Sequence, residues 1–243
     1  MIEFFHTIIY TPLYNGLIFL IDVMPGHSVG LALVTLTVIV RVILYPIARQ
    51  ASATQAAMRE IAPEIEALKE KYKDKKEEQA RAIFALYKER KIRPFSSFLL
   101  VLVQLPVLIG LYFVFFKGGL PAVNMDLLYS FVAAPENINV IFLGIFDMSQ
   151  RSIFLAVLAG LSQMAYARLS MGPRKPHEPG ERSFANDLAR SMDLQMRYVL
   201  PLMLGGFAYI ASSAVALYFV TGNLFMVGQE YLAGRRFRDR NSQ

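Results

Sequence analysis

Long apolar runs alternate along this chain with short stretches crowded by charge. Four apolar regions follow residue 27: residues 28–47, 96–116, 152–169 and 198–231. Each of the first three matches one bilayer crossing, which takes roughly 20 apolar residues at about 1.5 Å of rise each. The fourth has 34 residues, or roughly 51 Å of helix. That is too long for one crossing and short of the roughly 60 Å that two require. It reads as two short helices with a tight turn near Ala211-Ser212-Ser213, set in a locally thinned bilayer. One long helix kinked near Gly205-Gly206 is the alternative. The pattern predicts an all-α membrane protein with a five-helix transmembrane core.

The opening 27 residues are apolar but interrupted by Pro12, Asn15 and Gly16, and they lack the basic start of a signal peptide. They are expected to form an outer amphipathic helix lying on the membrane interface. A sixth crossing is the competing reading. Residues 50–93, within the segment 48–95, are rich in Ala, Glu, Lys and Arg, with no Gly and a single Pro at 63. Strong helix formers dominate there. Ile61, Ile65, Leu68 and Tyr72 mark one apolar stripe, and Ile83, Phe84 and Tyr87 mark another. With a turn at Lys73-Asp74-Lys75-Lys76, these stripes predict an antiparallel cytoplasmic helical hairpin; a solvated linker is the plainer alternative. The remaining segments are an outer loop (117–151), a second cytoplasmic loop (170–197) that is Pro- and Gly-rich at first, and a basic tail (232–243).

Composition agrees with a membrane setting. Hydrophobic residues make up 55% of the chain and mean hydropathy is +0.39, too apolar for an ordinary soluble domain. The net charge of +6 is unevenly placed. Residues 48–95 hold twelve basic side chains, 168–197 six and 232–243 four, against two in 117–151 and none in 1–27. Alternate segments therefore carry 22 of the 25. The positive-inside rule then places the N-terminus outside and the C-terminus in the cytoplasm, which needs an odd number of spans.

The chemistry is sparse. With no cysteine, thiol catalysis, disulfides and Cys-based metal sites are excluded. His6, His27 and His177 are too scattered for a metal site. There is no phosphate loop, GxGxxG, GxSxG or HExxH. Neither an enzyme nor a cofactor is expected. One feature stands out: Arg41, inside the run "VIVRVILYP". Its charge persists in any plausible environment, and mid-membrane insertion costs at least about 2.5–3.5 kcal/mol. The proposed spans hold no acid except Glu230 at the far end, while Asp22 and Asp147 lie outside them. The cation must then be held by water and neutral polar side chains. Thr37, Arg41 and Tyr45 are spaced to share one helix face. Gln104 lies in the second span, Ser162, Gln163 and Tyr166 in the third, and Thr221 and Asn223 in the last. Together these polar groups define a candidate cavity within the bilayer, although such groups also join helices directly.

The segments "LTVIVRVILYPIARQASATQAAMREIAPEIEALKEKYK", "LYKERKIRPFSSFLLVLVQLPVLIGLYFV", "DMSQRSIFLAVLAGLSQMAYARL" and "YVLPLMLGGFAYIASSAVALYFVTGNLFMVGQEYL" resemble the YidC/Oxa/Alb family of membrane-protein insertases. An arginine before Tyr-Pro, a Gln-x-Pro span and an Asn-x(5)-Gln end occur in the family's order. The resemblance implies a five-span core around a hydrophilic groove that opens to cytoplasm and lipid and is closed outside. It implies Arg41 as the groove charge with Thr37 beside it. Gln104, Leu105 and Leu108 match the substrate-contacting face, Gln163 a groove polar residue, and Phe219 an aromatic position facing the inserting segment. Where many relatives have Phe-Pro-Ala-Gly, this chain has Ile210-Ala-Ser-Ser213. The implied partners are nascent membrane proteins, the ribosome, the Sec translocon and the bilayer, with no sequence-specific nucleic-acid binding. The rival class is a small-solute anion transporter or channel with Arg41 as its anion site.

Overall fold

A computed structural model of the chain describes residues 2–92, 96–116, 120, 122–171, 191, 193–232 and 234. Most of the second basic loop, with His177, and the Arg-rich tail from 235 lie outside the described residues. The described chain is mostly helical. Its elements are α1 (Ile2–Phe5), α2 (Thr11–Val23), α3 (Val29–Ile43), α4 (Tyr45–Glu60), α5 (Ala62–Lys71), α6 (Lys76–Glu89), α7 (Ser96–Phe116), α8 (Ile153–Met171), α9 (Leu200–Ala211) and α10 (Ser213–Leu232). A two-stranded antiparallel ribbon, β1 (Ile141–Phe142) and β2 (Phe146–Asp147), precedes α8. The chain divides into two compact units, one of residues 1–41 with 107–243 and one of residues 42–106.

Prolines shape two of the helices in the larger unit. Pro12 and Pro201 each sit at the second position of an α-helix, and each is preceded by a π-turn, His6–Tyr10 and Gln195–Val199. A proline ring clashes with the carbonyl four residues back and offers no N–H to it. The wider turn avoids that clash: Thr11 N–H donates to His6 O, and Leu200 N–H to Gln195 O. Helical backbone is therefore already in place at Asp193, before the apolar run opens. The stretch from Asp193 to Ala211 measures roughly 28 Å and α10 roughly 30 Å. Polar residues at the start of the first helix thus add length to what residues 198–231 alone provide. The two helices separate at Ser212, whose backbone is extended.

The core of this unit draws on all its helices. α2 contributes Tyr14, Leu17, Ile18 and Ile21, all fully buried, against Leu33 and Leu36 of α3 and Leu111 and Val114 of α7. α8, α9 and α10 meet through small residues: Ala156, Ala159, Ala208, Ala214 and Ala216 are buried. At the closest approach of α8 and α9, a Cβ on Gly160 would lie 3.2 Å from Pro201 O, and one on Gly205 the same distance from Ala156 O. Small side chains let membrane helices pack at backbone contact, where dispersion replaces the hydrophobic drive absent in lipid. The outward positions stay apolar, with Ile153 71% and Leu202 72% exposed. α8 is long and apolar enough to cross a bilayer. α7 runs 21 residues without a charge.

One loop ties the ends of these helices together. Asn15 of α2 is 2% exposed. Its Nδ2 donates to Leu127 O (2.8 Å) and its Oδ1 accepts from Tyr129 N (2.6 Å). Tyr14 Oη accepts from Asn124 N at 2.7 Å. Farther along, Val29 N donates to Asn139 O, Ser213 N to Gln150 O and Ala214 N to Met148 O. Those last three donors belong to the unpaired first turns of α3 and α10. Ser28, Ser152 and Ser212 supply N-cap oxygens to α3, α8 and α10. The starts of three helices are thus gathered under loop 122–151, and the ring of Phe142 lies on Gly30 of α3.

The smaller unit contains the α5–α6 pair. Gln79 Nε2 donates to Lys69 O (2.8 Å) and Arg90 Nη2 to Glu64 Oε1 (2.7 Å), so the helices run antiparallel. Ile61, Leu86 and Ile92 form its buried core, with Ile65, Leu68 and Tyr87 packed against it. The second predicted stripe is corrected at one position: Phe84 is 60% exposed, and Leu86 takes the inward place. The carboxylate of Glu64 raises the pKa of Arg90 above its ordinary value.

Candidate functional site

The first predicted span does not run on to residue 47 as one helix. α3 ends at Ile43, Leu44 is a turn, and α4 starts at Tyr45. Pro46 explains the break, since it offers no N–H to the carbonyl of Val42. Thr37, Arg41 and Tyr45 therefore lack a common helix face. Arg41 falls instead in the last turn of α3. There the exposed carbonyl ends favour a cation, by about 0.3–1 kcal/mol and up to about 2 when partly buried.

The guanidinium of Arg41 rests on α10. A Cβ built on Gly222 would stand 2.6 Å from its Nη2, 3.1 Å from Nε and 3.2 Å from Cζ. Gly222 is the tenth of the 20 residues of α10. The charge therefore sits halfway along that helix, roughly 14 Å from its start. Side chains lean toward the N-terminus of their own helix, so Arg41 can be rooted near the end of α3 while its head lies at mid-height. Arg41 is half-buried, and among the described residues no carboxylate pairs with it.

Other polar groups occupy the same level. Asn223 is buried, and its Nδ2 donates to Ser162 Oγ at 3.1 Å; Ser162 Oγ donates to Ala159 O at 2.9 Å. These bonds join α10 to α8. Thr37 is buried, and its Oγ1 donates to Leu33 O within its own helix (2.6 Å). Thr37 and Asn223 thus have structural partners inside the bundle. Gln163, Tyr166 and Thr221 are half-buried. Phe219 packs edge-on to Phe207 of α9 (centroids 6.4 Å apart, planes at 77°), and Leu108 lies at the edge of the core. Tyr45, Gln104 and Leu105 belong to the smaller unit. There Tyr45 is exposed, Leu105 is 53% exposed, and both amide atoms of Gln104 are buried without a hydrogen-bond partner among the described residues.

Two residues at this level escaped the sequence reading. Tyr218, one turn before Gly222, is buried with no partner for its hydroxyl among the described residues and lies within the electrostatic reach of Arg41. Gly222 itself gave no signal, because a glycine in an apolar run has many explanations. Its four-residue spacing from Tyr218 becomes informative only once Arg41 is seen between the helices.

The larger unit is thus a helical bundle with apolar outward positions, a loop bonded across the starts of α3 and α10, and the Arg41 guanidinium at the middle of α10 with no carboxylate partner among the described residues. Residues 20–240 match the family described as 60Kd inner membrane protein, and the chain belongs to that family. Its relatives include proteins named membrane protein insertase YidC. That of Clostridium tetani is 31% identical over 208 residues, covering 86% of this chain and 82% of the relative. That of Bordetella petrii is 27% identical over 232 residues, 96% of this chain and 36% of the relative. That of Neisseria gonorrhoeae is 28% identical over 215 residues, 88% of this chain and 34% of the relative. The chain thus spans most of the clostridial relative but only about a third of the other two.

Proposed function

We propose that this protein is a membrane-protein insertase that moves hydrophobic segments of nascent proteins, with short polar flanks, into the bilayer. The observation carrying this reading is the lone guanidinium of Arg41, half-exposed over Gly222 with no carboxylate partner among the described residues. A cation at that depth is costly, and helix-end carbonyls offset only part of the cost. An acidic group in a passing chain would offset more. Coulomb attraction between unit charges at about 4 Å is about 4 kcal/mol at an effective dielectric near 20, against about 1 in water. The charge would thus lower the cost of drawing a polar flank partway into the membrane.

The apolar segment meanwhile slides along Leu105, Leu108 and Phe219 and leaves sideways into lipid. Burial of its side chains there supplies roughly 25 cal/mol per Å², so no nucleotide is needed. Gln163, Tyr166 and Thr221 keep water beside the arginine. In this reading the bundle has five spans, with α2 on the outer interface, loop 122–151 outside, and the α5–α6 pair and the C-terminus in the cytoplasm. The basic α5–α6 segment meets the ribosome or the Sec translocon. An anion transporter needs a path to both sides, whereas loop 122–151 is bonded across the starts of α3 and α10; this favours a groove with one open end. Site-specific crosslinking from Gln104, Gln163 and Phe219 to a stalled nascent chain tests the reading. Crosslinks to the hydrophobic segment are expected. Their absence from all three positions, with anion flux in protein-containing liposomes, would establish the transporter instead.

A further inference from the structure

The geometry points to Gly222 as a positioning residue: its missing side chain is the seat on which the Arg41 guanidinium lies. The inference rests on the insertase reading and adds a residue to it. The three atoms nearest a Cβ at position 222 are Nη2, Nε and Cζ of Arg41, at 2.6, 3.1 and 3.2 Å. Nonbonded carbon contacts are comfortable at about 3.5–4.0 Å, so a methyl there pushes the head away by about 1 Å. Those three atoms are the far end of a flexible side chain and no backbone is among them, so the cost falls on the position of the charge while the packing of α10 is kept. The glycines at the contact of α8 with α9 behave differently. Gly160 and Gly205 face backbone carbonyls, where a methyl would push the helices away from each other.

The position matters because this charge has no acid to hold it. An ion pair or bidentate hydrogen bonds would fix a guanidinium by direct attraction. Here the open face of the helix at Gly222 sets where it can lie, and the guanidinium stays free to meet an incoming carboxylate. Tyr218 and Gly222 are one turn apart on α10 and therefore share a face. A displaced head meets the same carboxylate from a longer distance and in more water.

Gly222→Ala tests this in an insertion assay with purified protein in liposomes, using two substrates that differ only in whether the translocated flank carries acidic residues. Expected is a loss of about three- to tenfold for the acidic flank and little change for the neutral one, with an unchanged melting midpoint in detergent. In an Arg41→Ala or Arg41→Lys background, adding Gly222→Ala should change nothing further, because no guanidinium remains to be moved. Equal losses for both flanks, or a Gly222→Ala penalty that persists in both backgrounds, would make Gly222 a packing residue and overturn the inference. So would a full loss in Arg41→Ala alongside normal insertion by Gly222→Ala, which leaves the insertase reading standing. If Arg41→Ala itself inserts the acidic flank normally, the insertase reading of the arginine falls, and the assignment of Gly222 falls with it.

Discussion

Asn15→Ala should loosen the end of the bundle at which three helices begin. The carboxamide is 2% exposed and joins α2 to loop 122–151 through Leu127 O at 2.8 Å and Tyr129 N at 2.6 Å. Truncation leaves that carbonyl and that N–H without their partner. Each buried polar group so orphaned costs about 1–3 kcal/mol, so a loss of about 2–6 kcal/mol from the loop's docking is expected. The chain has no cysteine, so one placed in the loop is a clean reporter. Leu128 is partly buried against the core, and Leu128→Cys should react slowly with a water-soluble maleimide. Adding Asn15→Ala should raise the labelling rate at least about tenfold, since local opening scales with its free energy, and should lower the melting midpoint in detergent. If labelling and midpoint are both unchanged, Asn15 does not hold the loop, and the argument that these bonds close that end of the bundle is wrong.

Further predictions follow from the helix contacts. Gly160→Val should cost about 1–3 kcal/mol by forcing α8 and α9 apart, read as a lower melting midpoint in detergent. Gly206→Ala has nothing within 4 Å of the new methyl and should leave that midpoint unchanged. Asn223→Ala and Ser162→Ala should each cost about 0.6 kcal/mol and at most about 1.7, and the double variant should cost less than their sum because both break the same bond. Arg90→Ala should leave the midpoint of a denaturation series nearly unchanged, because its pair with Glu64 is solvent-exposed on both sides.

Much of this architecture was legible in the sequence because it depends on local chemistry. The break at Ser212 lies in a run too long for one helix, and serine readily takes the extended N-cap backbone. The α5–α6 helices follow from Ala, Glu and Lys content. Other features depend on what lies across the fold. Asn15 looked like an interruption in an apolar pattern, yet its amide completes hydrogen bonds with residues more than a hundred positions away. Phe84 matched a stripe by spacing, but Leu86 is the residue that fits the partner helix. The helical stretch before Leu200 agrees with the expectation that the second basic loop becomes a short helix from Ser183 onward as it leads into the next span, although residues 183–190 and 192 lie outside the described residues. Arg41 was legible as costly without an acid in reach. That its head rests on a glycine of another helix was not, because spacing along one helix carries no information about the next.

The central claim is that the charge of Arg41 acts on acidic groups of an inserting chain. It is tested most directly by comparing wild type, Arg41→Lys and Arg41→Ala for insertion into protein-containing liposomes of one membrane substrate with its translocated flank either acidic or neutral. The account predicts that Arg41→Ala loses the acidic-flank substrate by about tenfold or more, that Arg41→Lys retains some of the activity, and that the neutral-flank substrate is little affected. Equal insertion of the acidic-flank substrate by wild type and Arg41→Ala would contradict it.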